Sequence, residues 1–351
     1  MKDQARSLVQ KGVQSIYVQE KFDHEDETIK TKLSAGDYSV IFISPELLLG
    51  DKSWVDIFRS KTYHDRLVGI AVDEAHCIKK WGKEFRKEYS NLGEMRGLLD
   101  TSVNVMAMTA TATKQTRKDI CKSLGLVKPV MIIRSPEKQN IVYKVTRKIA
   151  DIEETFASLV EELSKNRRNT NKTIIFCRTY EDTDHIYLFF KSMLGKEMMD
   201  PIGYPDISRF RLIDMFTACT SVDVKEDIVK SFTQPEGRFR LIVATVAFGM
   251  GMDCSNVQRI IHWGPPFDVE SYVQETGRAG RDGQVSHAVL YFSNKDLGLG
   301  HIEDSMKDYC RNNLQCRRHT LFQDFDSYDG SRPAGCLCCD ICATACCCGL
   351  C

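Results

Sequence analysis

The feature that most constrains the fold is a repeated short apolar run with a polar motif at its carboxyl end. Three such runs lie at 39–44, 67–72 and 103–108. Continuous apolar runs of this length are typical of strands buried on both faces of a parallel sheet. Amphipathic stretches at 1–11 and 115–124 lie beyond them. The pattern therefore predicts alternating strands and helices, with helices on both faces of an open α/β sheet.

The same alternation restarts after Ser135-Pro136. The polar stretch 194–209, which contains Pro201, Gly203 and Pro205, predicts a surface insertion. The patterns predict helices at 151–165, 181–194, 225–232 and 269–276, and strands at 173–177, 241–244, 257–262 and 288–292. We therefore expect two α/β lobes, 1–135 and 136–298, followed by a cysteine-rich segment, 299–351.

Composition excludes several classes of protein. The chain is 42% hydrophobic and 27% charged, which is ordinary for a globular protein and unlike a disordered or collagen-like chain. No apolar run approaches the ~18 residues of a membrane-spanning helix, and the polar start lacks a secretory signal, so we expect an intracellular protein. With 48 basic and 48 acidic residues, the net charge excludes a uniformly basic surface but not a basic groove.

Ten of the fifteen cysteines lie between Cys310 and Cys351. Such a local cluster on a large intracellular chain favours metal binding over a disulfide framework, which is the alternative. Four cysteines in C-x₁₉-C-x₂-C-x₂-C spacing suit a closed tetrahedral Zn²⁺ site: Cys316, Cys336, Cys339 and Cys342. Five more, which are spare thiols, alternate ligands or the product of an altered terminus, fall outside this spacing: Cys338, Cys346, Cys347, Cys348 and Cys351.

Two polar motifs follow the apolar runs of the first lobe. Asp73-Glu74-Ala75-His76 lies at the carboxyl end of a predicted strand, where α/β sheets bind ligands. One carboxylate there suits Mg²⁺ and its neighbour suits the activation of water, whereas the alternative is an acidic pair that caps a helix. The hydroxyl-rich segment 109–113 follows the next strand, and its structural alternative is an N-cap for the helix that begins near Lys114.

Two further motifs lie in the second lobe. Segment 274–283 reads QETGRAGRDG, in which Arg278 and Arg281 are flanked by glycines. Guanidinium groups on a flexible turn suit the charge of a transferred phosphoryl group, with a solvated basic turn as the alternative. Segment 244–253 reads ATVAFGMGMD, and its glycines permit close approach of the backbone to a phosphate or ribose.

In this order and spacing, the four motifs resemble motifs II, III, V and VI of superfamily-2 helicases. The stretches AVDEAHCIKKWGKEFRKEY, TATAT and YVQETGRAGRDG narrow the resemblance to the RecQ-like DNA helicases, over about residues 1–342. Ser44-Pro45-Glu46 resembles motif Ib, and 175–178 resembles motif IV. The resemblance implies two RecA-like lobes, a zinc-binding subdomain, and 3′-to-5′ translocation on single-stranded DNA that unwinds duplex with ATP hydrolysis.

The resemblance also implies roles for individual residues. Asp73 would hold Mg²⁺, Glu74 would activate water, and His76 and Gln274 would link the nucleotide site to the interface between lobes. Arg278 and Arg281 would reach the γ-phosphate of ATP. Further nucleotide contacts would come from Thr109, Thr111, Gly249, Gly251 and Asp253. Contacts to DNA would come from Trp81, Phe85, Arg86, Ser44, Arg178 and Thr245, in part because aromatic faces stack on bases. The family's zinc ligands match Cys316, Cys336, Cys339 and Cys342. We expect single-stranded DNA and duplex junctions as partners, a nuclear location and no membrane.

The sequence departs from the family pattern in its phosphate loop. No G-x-x-x-x-G-K-[ST] segment is present, since Gly82-Lys83 and Gly195-Lys196 are each followed by Glu. Met1-Lys2-Asp3-Gln4 resembles motif Ia, which lies downstream of that loop. We therefore expect a first lobe without its first strand and phosphate loop, with unpaired strand edges. A fragment and a shortened paralogue both explain this departure.

A second departure lies at 215–220, where the family carries a strand-end motif with His and Gly. Nothing after Cys342 resembles a winged-helix domain. The alternative function is an ATPase-inactive module that binds single-stranded DNA, and a third is a regulatory fragment that binds no nucleic acid.

Overall fold

The computed structural model describes residues 1–18, 26–50, 52–80, 92–94, 103–148, 151–245, 248, 254, 256–326 and 328–348. The chain divides into two compact units, Met1–Ile133 and Arg134–Cys351, which we call the first and second lobes. No helix of the described residues is both long and apolar enough to cross a membrane.

The first lobe alternates short strands with helices. Its strands are β1 (Ser15–Tyr17), β2 (Val40–Phe42), β3 (Gly69–Val72) and β4 (Asn104–Ala107). Its helices are α1 (Lys2–Gln10), α2 (Asp26–Ala35), α3 (Pro45–Gly50), α4 (Lys52–Arg59), α5 (Lys61–Arg66), α6 (Cys77–Lys80) and α7 (Lys114–Ser123).

The strands of the first lobe form two separate parallel pairs in the described part of the chain. β1 pairs with β2, with Ser15 opposite Val40, and β3 pairs with β4, with Gly69 opposite Asn104. A cavity of about 670 Å³ is lined by residues of both pairs, including 40–43 and 68–73. The described part of this lobe therefore contains two short sheets, and β2 and β3 line a common cavity, whereas the absence of a first strand stays a prediction.

The second lobe is built around one parallel sheet of six strands, in the order β5-β10-β9-β6-β8-β7. These strands are β5 (Ile141–Arg147), β6 (Lys172–Cys177), β7 (Ile213–Phe216), β8 (Leu241–Ala244), β9 (Val257–Trp263) and β10 (Ser286–Phe292). Its helices are α8 (Ile152–Asn166), α9 (Tyr180–Leu194), α10 (Val222–Phe232), α11 (Val269–Thr276), α12 (Asn294–Leu297), α13 (Asp304–Arg311), α14 (Arg317–Phe322), α15 (Gly335–Cys338) and α16 (Asp340–Thr344).

Both faces of this sheet are covered, because adjacent residues of each strand point to opposite sides. On one face, Ile175 and Val243 pack in a cluster with Phe156 of α8 and Phe190 of α9. The other face carries a larger cluster, in which the side chains of α10, α11 and the cysteine-rich segment join those of the strands. The cysteine-rich segment thus shares the core of the second lobe, and a domain boundary at 298/299 stays a prediction.

The α/β fold of parallel sheets is confirmed, and two of the predicted elements have the observed bounds. The predicted strand 241–244 and helix 269–276 coincide with β8 and α11. Strands β1, β5 and β7 were not predicted. β5 alternates apolar and polar residues, as a strand near the edge of a sheet can, and Asp214 interrupts the apolar run of β7.

Candidate functional site

The acidic motif forms a tight turn directly after β3. Asp73 is exposed, and its Oδ1 accepts a hydrogen bond from the backbone N–H of Glu74 at 2.9 Å. Glu74 has φ of 49°, a left-handed conformation that is uncommon outside glycine and marks a locally strained backbone. The N–H of Ala75 donates to the carbonyl of Met108 at 2.9 Å, which fixes this turn to the residue after β4.

His76 joins this turn to the hydroxyl-rich motif. The imidazole is buried, and its Nδ1 lies 3.0 Å from Thr109 Oγ1 and 3.3 Å from Glu74 Oε2. The hydroxyl of Thr109 in turn donates to the carbonyl of Thr111 at 3.0 Å. The structure therefore brings Asp73, Glu74, His76, Thr109 and Thr111 together at the carboxyl ends of β3 and β4. The N-cap role weighed for this motif belongs to Thr113, whose Oγ1 accepts from Thr116 N at 3.3 Å.

The carboxylates of this turn suit a hard divalent cation. Asp73 presents oxygen atoms to solvent, and Glu74 is the neighbouring carboxylate, with its Oε2 shielded from solvent. Oxygen ligands of this kind are those that Mg²⁺ prefers, usually with several waters retained. Asp73 and Glu74 therefore suit the binding of Mg²⁺ together with the phosphates of a nucleotide.

The arginine motif is held by residues that the sequence analysis did not single out. Lys138 Nζ donates to the carbonyls of Gly277 and Ala279 at 2.7 and 3.0 Å. Asn140 Nδ2 donates to the carbonyls of Gly280 and Gln284 at 2.9 and 2.7 Å. We call residues 277–283 the arginine turn. Three side-chain hydrogen bonds from the segment that enters β5 thus fix the backbone of this turn, and a fourth fixes Gln284, the residue that follows it.

Glycine is required where this turn meets Asn140. Gly280 has φ of 61°, and a Cβ at this position would lie 2.4 Å from Asn140 Nδ2. Within the motif, Arg278 is buried and Arg281 is exposed, so the two arginines have different environments. Gln274 is half-buried on α11, one turn before the arginine turn. The strand pairing explains why Lys138 and Asn140 reach the arginine turn. β5 and β10 pair in parallel from Ile141 opposite Ser286 onward, so the residues before β5 lie beside the residues before β10.

The candidate DNA-contacting residues that the structure describes are hydrogen-bonded within the protein or buried. Ser44 Oγ accepts a hydrogen bond from Leu47 N at 3.3 Å, at the start of α3. Arg178 Nη2 lies 2.6 Å from His301 Nε2, and Thr245 is buried after β8. Since β6 and β8 pair in parallel with Phe176 opposite Ala244, Arg178 and Thr245 follow neighbouring strands at the same edge of the sheet. Six candidate residues lie outside the described part of the chain: Trp81, Phe85, Arg86, Gly249, Gly251 and Asp253.

A four-thiol cluster lies in the cysteine-rich segment. The sulfur atoms of Cys316, Cys338, Cys339 and Cys342 all lie within 4.8 Å of one another, and none of the described cysteines forms a disulfide. Cys339 hydrogen-bonds to Cys316 and lowers the pKa of the Cys316 thiol, whereas the same bond raises the pKa of Cys339. Such a set of soft, buried donors fits Zn²⁺, which binds four thiolates in closed structural sites.

One predicted ligand, Cys336, lies elsewhere, and Cys338 takes its place in the cluster. The physical reason is the one-turn helix α15, in which residues two apart point to opposite sides. The sequence spacing therefore identified three members of the four-thiol cluster and exchanged the fourth with a neighbour.

Two arginines attach this cluster to the lobe. The guanidinium of Arg317 pairs with Asp340 at 2.9 and 3.2 Å, and Asp340 accepts from Val145 N at 3.0 Å. Arg318 is fully buried, pairs with Glu137 at 2.9 Å, and donates to the carbonyls of residues 138, 139 and 141. The cysteine-rich segment thus holds the same stretch that provides Lys138 and Asn140 to the arginine turn.

Comparison with protein-family models gives the class of the two lobes. Residues 1–120 match the DEAD/DEAH box helicase model, and residues 154–283 match the helicase conserved C-terminal domain. Solved structures with the same fold include the helicase MrfA bound to DNA (TM-score 0.61, 17% identity, 93% of this chain and 41% of that one). Another is Mycobacterium smegmatis Lhr bound to single-stranded DNA and AMP-PNP (TM-score 0.60, 17% identity, 94% and 40%). The chain thus carries the two domains of a DEAD/DEAH box helicase.

Within that class, the chain is similar to the RecQ-like DNA helicases over most of its length. It is 30% identical to Pasteurella multocida RecQ over 302 residues, which are 86% of this chain and 43% of that protein. It is 32% identical to Bacillus subtilis RecQ (85% and 46%) and 30% identical to the RecQ-like helicase BLM of Xenopus laevis (92% and 24%). The chain therefore spans less than half the length of these relatives.

Proposed function

We propose that this chain is the motor core of an ATP-dependent DNA helicase, which moves 3′ to 5′ along single-stranded DNA and unwinds duplex as it hydrolyses ATP. The observation that carries this proposal is the contact of His76 Nδ1 with Thr109 Oγ1, at 3.0 Å. This contact connects the acidic turn to the hydroxyl-rich segment 109–113, so that a displacement of one motif moves the other.

The acidic turn provides the groups for hydrolysis. Asp73 holds Mg²⁺, which neutralises phosphate charge when bound, and Glu74 orients a water and accepts its proton. The left-handed backbone at Glu74 fixes the direction of its side chain relative to Asp73. Thr109 and Thr111 add hydroxyl groups beside this site, and Gly249, Gly251 and Asp253 provide further nucleotide contacts.

The arginine turn provides positive charge. Arg278 and Arg281 are the two arginines that reach the γ-phosphate of ATP; Arg281 is exposed, whereas Arg278 is buried. An arginine in this role contributes a factor of ~10³–10⁵ to phosphoryl transfer in related chemistry. Gln274 and His76 relay the state of the nucleotide site between the motifs.

DNA binds through stacking and backbone contacts. Trp81 and Phe85 stack on bases, Arg86 and Arg178 pair with phosphates, and Ser44 and Thr245 donate hydroxyl hydrogen bonds. Single-stranded DNA and duplex junctions are the substrates. In the cysteine-rich segment, Zn²⁺ is held by the four-thiol cluster, which stabilises the lobe without taking part in catalysis. The family's role in the genome favours a nuclear location where the host cell has a nucleus.

The test is ATP turnover by the chain with and without single-stranded DNA, comparing Glu74→Gln with Glu94→Gln. Both replaced carboxylates lie in the first lobe, and Glu94 is an exposed residue outside the motifs. We expect DNA-stimulated turnover that falls at least ~100-fold in Glu74→Gln, within the range for loss of a general base, and is unchanged in Glu94→Gln. If Glu94→Gln hydrolyses ATP and Glu74→Gln does so at the same rate, the role of Glu74 is contradicted.

The missing G-x-x-x-x-G-K-[ST] pattern is the reason for a second candidate function, which the similarity to ATP-dependent DNA helicases does not favour. An ATPase-inactive module would bind a single-stranded oligonucleotide in a salt-dependent way without turnover. A version extended by an upstream phosphate-loop segment then separates a fragment, which gains turnover, from an inactive paralogue, which does not. Unwinding of a duplex with a 3′ tail but not a 5′ tail tests the direction.

A further inference from the structure

A second group of cysteines lies in the same segment. The sulfur atoms of Cys336, Cys346 and Cys348 lie within 4.8 Å of one another, and those of Cys336 and Cys348 are 3.5 Å apart. We call this group the three-thiol cluster. It shares no residue with the four-thiol cluster.

Local geometry separates the two clusters. Cys336 and Cys338 lie two residues apart on α15, so their side chains point to opposite sides of that helix turn. Cys338 is fully buried, whereas Cys336 and Cys346 are half-buried and Cys348 is exposed. One cluster therefore faces the core and the other faces solvent.

A glycine brings the end of the chain back onto α15. A Cβ on Gly335 would lie 2.7 Å from Cys346 Cβ and 2.8 Å from Cys346 Sγ, closer than side-chain atoms normally approach. The backbone at Gly335 lies outside the left-handed region. Glycine at this position therefore allows Cys346 to approach the backbone of α15, and it does not serve an unusual backbone conformation.

We propose that the three-thiol cluster is a second metal site, which binds a zinc-class ion through three thiolates and leaves the fourth position open to solvent. Soft thiolate donors select ions of this class, and zinc with three protein ligands keeps an exchangeable fourth position. Binding releases three protons from the thiols to the buffer, and the cation offsets the repulsion between the three charges. This proposal is independent of the helicase activity.

The experiment measures zinc bound per reduced chain, with a chromophoric chelator as competitor and zinc alone as the probe. We expect two zinc ions per wild-type chain, a tight one and a weaker one. The triple variant Cys336→Ser/Cys346→Ser/Cys348→Ser is expected to keep only the tight ion. Cys347→Ser, which removes an exposed thiol outside both clusters, is the matched control and is expected to keep both.

Gly335→Ala tests the geometry without removing a thiol. Its added methyl group displaces Cys346 and meets the tight site at the backbone carbonyl of Cys342, at 3.1 Å. We therefore expect the weaker site to lose affinity about tenfold and the tight site to lose less. Three results would overturn the proposal. They are one zinc ion per wild-type chain, loss of the tight ion in Cys336→Ser alone, and a Cys336–Cys348 disulfide in protein kept under reducing conditions.

Discussion

The two lobes differ in how completely their strands are enclosed. In the second lobe, every residue of β6 and β8 is buried, and both strands pair on both sides within a six-stranded sheet. In the first lobe, β3 carries one buried residue among four and pairs only with β4 in the described part of the chain. The acidic turn therefore follows a weakly enclosed strand, whereas the arginine turn is fixed to a consolidated lobe.

This difference indicates which lobe is the less stable one. Regions with few buried contacts and open strand edges are at the low end of local stability. We therefore expect the second lobe to tolerate truncation of the first lobe better than the reverse. The following predictions test this contrast, beginning with the largest effect.

The first prediction concerns the buried ion pair that consolidates the second lobe. Arg318→Ala leaves Glu137 buried beside unsatisfied carbonyls, so we expect the free energy of unfolding of this lobe to fall by about 3–5 kcal/mol. Peptide-resolved hydrogen exchange measures this loss on β5 and β10. Arg311→Ala, an exposed arginine of the same lobe, is the control and is expected to change little. A loss below ~1 kcal/mol for Arg318→Ala would show that the Arg318–Glu137 ion pair does not stabilise this lobe.

The second prediction uses the charge buried in β6. Burial lowers the pKa of Lys172 to about 8, while its Nζ donates to the carbonyls of Phe232 and Gln234. Between pH 8 and about 10.5 the unfolded chain holds a proton that the folded chain has lost, so stability rises with pH. Relative to Lys172→Met, the wild-type free energy of unfolding should gain roughly 3 kcal/mol over this range and stay level below it.

The matched variant for this titration is Lys165→Met, which replaces an exposed lysine of the same lobe. Its difference from wild type should not change across the same pH range. A flat profile for Lys172→Met as well would mean that the Lys172 ammonium keeps its ordinary pKa in the fold.

The third prediction compares one substitution in both lobes. Leu33 and Leu163 are each fully buried, but among the described residues Leu33 packs in a cluster of three buried residues and Leu163 in one of seventeen. Leu→Ala costs about 2–5 kcal/mol, depending on how far the site collapses into the cavity. We expect Leu163→Ala to cost about 2 kcal/mol more than Leu33→Ala, measured for each lobe by hydrogen exchange. Equal costs would show that the first lobe is as tightly packed as the second.

The same contrast explains what the sequence predicted. The bounds of β8 were predicted because a strand buried on both faces reads as a continuous apolar run, and those of α11 because it begins after the N-cap Asp268 and ends before Gly277. Short β1 carries too few residues for periodicity to detect. The acidic turn was found because its chemistry is local, within four consecutive residues. Lys138 and Asn140 were missed because their partners lie about 140 positions away and meet them only through the register of β5 with β10. Cys338 was missed because spacing cannot tell which face of a one-turn helix meets Cys316.

The smallest effect is expected where the arginine turn is anchored. Asn140→Ala removes two hydrogen bonds to the carbonyls of Gly280 and Gln284, which costs roughly 1–2 kcal/mol of local stability. Amide exchange of residues 280–284 should rise about tenfold, while exchange in β6 stays the same. Because Asn140 positions the turn without touching a phosphate, turnover in an active form of the protein should fall by a similar factor at unchanged KM for ATP. Asn140→Ser should recover part of both effects, since a hydroxyl can still donate one of the two hydrogen bonds. Faster exchange in β6 as well would mean that Asn140 supports the whole lobe, and the role of a positioning residue would then be withdrawn.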